Sequence, residues 1–319
     1  MITVVIPNYN GKGYLRECID SVRQQTTVKY ELIIVDNAST DGDYEWEKDQ
    51  KDIIWIQLEQ NYGFSKAVNE GIKKARGKYI LLLNNDTVLK PNFLEEIQKE
   101  IEKDDNIFAV SSKMICYNNP TIIDDAGDEY NLLGWAFKRG EGKSIEKYIT
   151  PRYVFSACAG AALYRKSIFK QIGGFDETFF AYMEDVDIAY RARLYGYKNF
   201  YCPTAEVYHI GSATSGSKHN SFKVKLAARN NIYMVYKNMP TIQLVINSVF
   251  LFMGYLIKGI YFKKKGLGRD YIQGIKEGIQ GCKNIHKISF QNKNLPHYIV
   301  IQWLLIKNVW VYVSEIIRS

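Results

Sequence analysis

Residues 78–86 read KYILLLNND. Tyr79 to Leu83 are an uninterrupted apolar run, the pattern of a strand covered on both faces. The run stops at Asn84, Asn85 and Asp86. In open α/β sheets, ligands bind beyond the carboxyl ends of the strands. A carboxylate at such a tip can hold a divalent cation, which in turn can neutralise a diphosphate. Asn-Asn-Asp is also an ordinary turn composition, so the neighbouring elements must decide its meaning.

Towards the N-terminus, Ile2–Ile6 (ITVVI) is predicted as a buried strand, and Pro7 to Gly11 as a turn. A helix follows over Tyr14–Gln24, with Leu15, Cys18, Ile19 and Val22 on one face. Tyr30–Val35 (YELIIV) is a second strand, ending in Asp36-Asn37-Ala38-Ser39-Thr40-Asp41-Gly42. Asp36 sits where a carboxylate could accept from a ribose or base, and the Ser39–Asp41 cluster could cap a helix. Ile53–Leu58 is a third strand. Asn61 to Phe64 turn into a helix over Ser65–Arg76, with Gly77 expected at its C-cap. Strands alternating with helices, each strand ending in a polar loop, predict an α/β protein with a mostly parallel sheet.

Beyond the opening stretch, Pro91 starts a helix reaching about Lys103, and Phe108–Met114 is a further strand. Cys116–Pro151 has weak periodicity and reads as irregular, with a hairpin near Asn131–Lys138. Val154–Tyr164 (VFSACAGAALY) is rich in small residues that permit close backbone approach. Glu184, Asp185 and Asp187 open a helix running to about Tyr195, an arrangement that a helix dipole alone would favour. Phe200–Cys202 and Ala205–Tyr208 are short extended pieces around Pro203, and His209 closes the second. A lone histidine is more often structural than a ligand.

The 319 residues are 46% hydrophobic and 24% charged, enough for a large core. The five cysteines are scattered and odd in number, which fits reduced thiols of a cytosolic protein. No basic n-region precedes Ile2, so no signal peptide is expected. The net charge of +8 is uneven: residues 218–319 hold 16 Lys or Arg against 3 Asp or Glu, a net of +13. Residues 1–217 therefore carry 26 basic and 31 acidic residues, a net of −5. The basic third also holds the longest apolar runs, over Thr241–Phe262 and Pro296–Ile317. It lacks the reading motif of a nucleic-acid binder and fits an anionic lipid surface. Within Thr241–Phe262, Gln243, Asn247, Gly254 and Lys258 fall within about 60° of one another, a narrow polar stripe on an apolar cylinder. The apolar core, Leu244–Phe252, even when extended to Ile257 across Asn247 and Ser248, is short of the roughly 20 residues a span needs. Contact along the membrane surface is expected, with a homo-oligomer interface as the competing use of the same faces.

Several segments together carry a resemblance: TVVIPNYNG (3–11), IIVDNASTDG (33–42), NYGFSKAVNEG (61–71), LLLNNDT (81–87), GGFDETFFAYMEDVDIAYRARLYGY (173–197) and HIGSAT (209–214). In that order they resemble a family-2 glycosyltransferase with the GT-A fold, in particular the rhamnosyltransferase-like members. Asn84 stands where the family usually has the first Asp of Asp-x-Asp, a departure common in that subgroup. The resemblance implies a Rossmann-like sheet flanked by helices, with a catalytic domain over residues 1–217. Residues 1–115 would bind the nucleotide-sugar and 116–217 would form the acceptor side. Residues 218–319 would be a helical, membrane-associating extension. Pro7, Tyr9 and Asp36 would surround base and ribose. Asn61, Gly63 and Phe64 would line the same pocket, with Asn84 and Asn85 near ribose or diphosphate. Asp86 and His209 would ligate Mg²⁺ or Mn²⁺. Asp185, paired with Glu184, would be the general base of an inverting transfer.

The implied donor is a dTDP- or UDP-linked sugar, dTDP-rhamnose first. The implied acceptor is a saccharide or polyprenyl-linked saccharide of a cell-surface polysaccharide, met at the inner face of the cell membrane. Two other classes compete. A sugar nucleotidyltransferase would carry a Gly-rich, Arg-containing loop after the first strand, and Pro7-Asn8-Tyr9-Asn10-Gly11 is not one. An inactive nucleotide- or glycan-binding scaffold would have no need of Asp86, Asp185 and His209 together.

Overall fold

The computed structural model describes residues 1–11, 13–42, 50–211 and 219–317. Its centre is one mixed sheet flanked by helices. The strands are β1 (Ile2–Asn8), β2 (Tyr30–Asp36), β3 (Ile53–Gln57), β4 (Tyr79–Leu83), β5 (Thr87–Leu89), β6 (Ile107–Cys116), β7 (Ile123–Asp125), β10 (Arg152–Val154), β11 (Ala161–Arg165) and β12 (Lys198–His209). Their order is β10-β12-β6-β11-β4-β1-β2-β3, with β5 on β12 and β7 on β6. Strands β4, β1, β2 and β3 run parallel, as do β6 and β12. A separate hairpin joins β8 (Asp128–Tyr130) to β9 (Ala136–Lys138).

The apolar runs are continuous because both faces are covered. Val4, Ile6, Leu32, Ile34, Leu81 and Leu83 meet helices α1 (Tyr14–Arg23) and α3 (Phe93–Glu102). The alternate residues Val5, Ile33, Val35, Ile80 and Leu82 meet α2 (Phe64–Lys74), α4 (Lys166–Ile172) and α5 (Glu184–Leu194). All of β4 is buried.

Four features differ from the sequence reading. Helix α2 ends at Lys74 with Ala75 as its cap. Gly77 instead permits a close crossing: a Cβ there would lie 2.6 Å from the Thr3 amide nitrogen. The small-residue segment contains β11, which runs antiparallel between β4 and β6. The pieces flanking Pro203 form one strand, β12, whose register against β6 breaks between Tyr201 and Glu206. The segment expected to be irregular contains β7, whose three residues are too few to show a period; the hairpin expected near Asn131–Lys138 is present as β8–β9.

The C-terminal third is helical: α6 (Ser221–Asn238), α7 (Thr241–Lys264), α8 (Gly268–Gly281) and α9 (Leu295–Ile317). Helix α8 has no counterpart in the sequence reading. Its glycines suit it to a backbone contact, since a Cβ at Gly274 would run into the Lys225 carbonyl of α6. A third apolar cluster crosses the 217/218 boundary, joining Tyr130, Phe155 and Tyr190 to Met234, Leu251 and Leu305.

Candidate active site

Asp86 follows β4 directly, and the chain turns into β5. That short strand pairs antiparallel with the end of β12, setting Thr87 opposite His209. The Ile210 amide donates to the Asp86 carbonyl at 3.0 Å. The result places His209 Nε2 3.3 Å from Asp86 Oδ1. The ring's Nδ1 lies 2.8 Å from Asp124 Oδ2, and the Asp124 carboxylate also accepts from Lys138 Nζ at 2.9 and 3.0 Å. Burial opposes a charged imidazole, yet Asp124 and Asp86 raise His209 to about 9. Burial also opposes charge on Asp124, but His209 and Lys138 hold it well below the usual carboxylate range.

This arrangement suits a divalent cation held by Asp86 and His209. Their ligand atoms face each other, and a carboxylate on the far nitrogen fixes the imidazole's orientation, the usual support for a metal-bound histidine. The residues Asp124 and Lys138 escaped the sequence reading. The only signal for Asp124 was the acidic run Asp124-Asp125-Ala126-Gly127-Asp128, and Lys138 lies outside that run.

The same run supplies a second acidic group. Ligand atoms of Asp125, Asp128 and Cys158 lie within 4.8 Å of one another. Burial raises Asp125 to about 6 and lifts Asp128 well above its ordinary value. The charge of Asp185 contributes to the Asp128 shift, and Lys138 offsets both clusters. An electrostatically linked series thus leads from Asp86 through His209, Asp124 and Lys138 to Asp128 and Asp185.

The three carboxylates at the start of α5 have distinct environments. Asp187 is wholly buried and ion-paired to Arg191 at 2.8 Å and Lys237 at 2.9 Å, with Asn238 donating at 2.7 Å. Its role is structural. Glu184 is buried, and its Oε2 has no hydrogen-bond partner among the described residues. Burial and the neighbouring Asp185 raise its pKa well above the ordinary value. Asp185 is partly exposed and accepts from the Val186 amide at 2.8 Å. Burial raises it to about 6, against the pull of that amide.

The approach to α5 is strained. Phe180, Tyr182 and Met183 all have left-handed φ, at 61°, 69° and 72°, a conformation costly for such side chains that concentrates at functional sites. Asn230 of α6 pins this turn. Its Nδ2 donates to the carbonyls of Phe179, Ala181 and Tyr182 at 2.7, 2.8 and 2.8 Å. Nothing in the sequence around Asn230 signals that task.

The residues expected around the nucleotide lie at the tips of β1, β2 and β4 and where the β3–α2 loop enters α2. Pro7, Tyr9, Asn61, Phe64 and Asn84 are partly exposed. Asp36, expected to accept from a ribose or base, is wholly buried. Its Oδ1 accepts from Asn8 at 2.8 Å and Ser39 Oγ at 2.6 Å, and its Oδ2 from the Ser39 amide at 2.9 Å and Gln57 at 2.8 Å. In this structure it ties the strand tips together. Asn85 is buried too and donates to Asn8 Oδ1 at 2.7 Å. Gly63, at φ 88°, lies where a Cβ would come 2.5 Å from the Phe180 carbonyl. Its turn is stitched to Asn37, which donates to the Gly63 carbonyl at 3.2 Å. Of HIGSAT, residues 212–214 lie outside the described residues.

The fold has solved counterparts. GalNAc-T7 with UDP, GalNAc and Mn²⁺ superposes with a TM-score of 0.61 at 19% identity, over 74% of this chain and 47% of that one. A mannosyltransferase from Pyrobaculum calidifontis, in complex with GDP-Man and Mn²⁺, gives 0.55 at 14% identity, over 98% and 83%. In sequence, the chain is 31% identical over 194 residues to an uncharacterized glycosyltransferase of Rickettsia prowazekii, covering 60% of this chain and 58% of that protein. It is 34% identical over 100 residues to a putative teichuronic acid biosynthesis glycosyltransferase, TuaG, of Bacillus subtilis, covering 30% and 40%. The chain thus spans less than two thirds of either relative's length. The model of "Glycosyl transferase family 2" matches residues 3–173, more than half of the sequence and every strand and helix from β1 to α4, so the chain belongs to glycosyl transferase family 2.

Proposed function

We propose that this protein is a metal-dependent, inverting glycosyltransferase acting in cell-surface polysaccharide synthesis. It would move a sugar from a nucleoside-diphosphate donor to a hydroxyl of a saccharide or lipid-linked saccharide. The observation that carries the reading is the pairing of two electrostatically linked sites. One is the Asp86–His209 pair braced by Asp124, and the other is the Asp185 carboxylate with a pKa raised to about 6. That value suits a general base near neutral pH.

A cation bound at Asp86 and His209 would offset the charge developing on the departing diphosphate. Asp185 takes the proton of the acceptor hydroxyl. The hydroxyl oxygen bonds to the anomeric carbon as the bond to the diphosphate breaks, and a single displacement inverts configuration. Burial and the neighbouring Asp185 raise Glu184 well above its ordinary value, which disfavours a second charge beside the base. Asn230 holds the strained turn that presents Asp185. The solved neighbours, complexes with UDP or GDP-Man and Mn²⁺, support a nucleotide-sugar donor and Mn²⁺ or Mg²⁺. L-Rhamnose on dTDP is the first donor to test, by resemblance, with UDP-linked hexoses and N-acetylhexosamines next.

The test is thermal stabilisation by a donor panel with Mn²⁺, Mg²⁺ or chelator. Ligand at a hundred times its Kd stabilises the native state by about 2.7 kcal/mol. The expected result is stabilisation by one donor class, dependent on the cation and lost in Asp86→Ala. Stabilisation by no donor, or pyrophosphate release from a nucleoside triphosphate, would overturn the proposal.

A further inference from the structure

Helices packed on a soluble domain ordinarily turn their apolar stripe inward. Helices α7 and α9 do the reverse over much of their surface. On α7 the inward residues are Gln243, Asn247, Leu251 and Gly254, so the polar stripe faces the protein. Val245, Val249, Phe252, Leu256 and Ile260 face out, with Phe252 68% exposed. On α9, Ile299, Trp303, Ile306 and Trp310 are exposed, Trp303 by 64% and Trp310 by 73%.

The inward contacts run along both helices. Tyr190 Oη donates to Gln243 at 2.7 Å. Gln302 of α9 accepts from Gln243 and Asn247 at 3.0 Å each and donates to Asn247 at 2.8 Å, locking the two helices side by side. At Gly254 a Cβ would run into the Leu133 carbonyl, and Trp135 Nε1 donates to the Gly254 carbonyl at 3.1 Å. Asn308 donates to Glu129 at 2.9 Å, and Tyr148 Oη to Glu315 at 2.8 Å. The helices are 24 and 23 residues long, long enough to span a bilayer. Fastened along their lengths to a polar domain, they are held parallel to its surface instead.

We propose that the outward faces of α7 and α9 form a platform that binds anionic lipid bilayers, lying flat at the headgroup boundary without crossing it. Three features favour lipid over a second copy of the chain. Lys263, Lys264 and Lys265 are all exposed at the end of α7, within a region of net +13, and such clusters are drawn to anionic headgroups. Trp303 and Trp310 are the side chains favoured at the headgroup level. A two-fold contact would bring the same patch against itself, gathering like charges around the apolar seam. The platform sits on the β8–β9 hairpin, whose Asp128 and Lys138 belong to the electrostatically linked series of the site. The inference does not depend on the transferase reading.

The experiment uses the full chain, floated with vesicles of phosphatidylcholine alone or mixed with phosphatidylglycerol. The variants are Phe252→Ser/Trp303→Ser/Trp310→Ser and Lys263→Gln/Lys264→Gln/Lys265→Gln, with circular dichroism as the check on folding. The wild type should float with the anionic vesicles. Loss of the three rings should weaken binding by about tenfold or more per ring, and loss of the lysines should remove the preference for phosphatidylglycerol. Quenching of Trp303 and Trp310 by brominated lipids reads depth in the wild type alone, should a variant fail to fold. Bromines near the headgroup should quench more than bromines at the chain end. The reverse order would overturn the flat arrangement. No flotation, with a discrete oligomer in detergent-free buffer, would overturn the lipid platform and assign the faces to a second copy.

Discussion

Replacing Asp124 by Asn should damage cation binding without touching either proposed ligand. The structure sets the size of the effect. Asp124 Oδ2 lies 2.8 Å from His209 Nδ1, within the range of a charge-assisted hydrogen bond. Such bonds contribute about 1.5–3 kcal/mol, equivalent to roughly 10- to 150-fold in an equilibrium constant. That range overlaps the roughly 10- to 100-fold typical of residues that orient a metal-bound histidine. The Asp124→Asn side chain would keep the shape and a hydrogen-bonding oxygen but lose the charge facing His209 and Lys138. The assay is activity and donor binding titrated with Mn²⁺. The half-saturating Mn²⁺ concentration should rise by about one to two orders of magnitude, while kcat at saturating Mn²⁺ changes much less. A purely structural role would lower the melting temperature and leave the Mn²⁺ dependence where it was. An unchanged Mn²⁺ midpoint in a folded variant would refute the reasoning.

Asp185→Asn should lower kcat by roughly 10²-fold or more with donor affinity nearly unchanged; a loss of stability with normal turnover would make Asp185 a helix cap only. Because Asp185 must be ionised to accept a proton and its pKa lies at about 6, wild-type kcat should fall as pH drops below about 6 and level off above it. A pH–rate profile measures this, and an acid limb at about pH 4, the ordinary carboxylate value, would contradict it. Asn230→Ala leaves the strained turn at Phe180–Met183 without its three donated bonds. It should reduce kcat more than it raises the donor KM, and equal wild-type kinetics would remove Asn230 from the site. Gly254→Ala should destabilise by about 1–3 kcal/mol in urea unfolding, because its Cβ meets the Leu133 carbonyl. A stabilisation of about 1 kcal/mol, the ordinary helix preference for Ala, would mean α7 is not pressed against the hairpin.

Much of the sheet is legible in the chain itself. The apolar runs at Ile2–Ile6, Tyr30–Val35 and Tyr79–Leu83 mark strands buried on both faces, and the abrupt polar residues after them mark the tips where the site gathers. These are local signals, carried by neighbours in sequence. The acidic start of α5 is equally plain, but its three carboxylates look alike until their neighbours are known. Arg191 and Lys237 make Asp187 structural, while burial gives Asp185 its raised pKa. His209 becomes a partner of Asp86 only because β5 pairs with β12, and that register depends on strands far apart in the chain. Strand β11 is hidden because its run of small residues has no strand period, and it gains its place by filling the gap between β4 and β6. The polar stripe on α7 shows the same division. Its spacing is visible in the sequence, but a period has no sign: it cannot say which face turns inward. Tyr190, Gln302 and the Leu133 carbonyl decide that, because buried amides need partners and a glycine at 254 leaves room for the approach. The apolar face is thereby left outside.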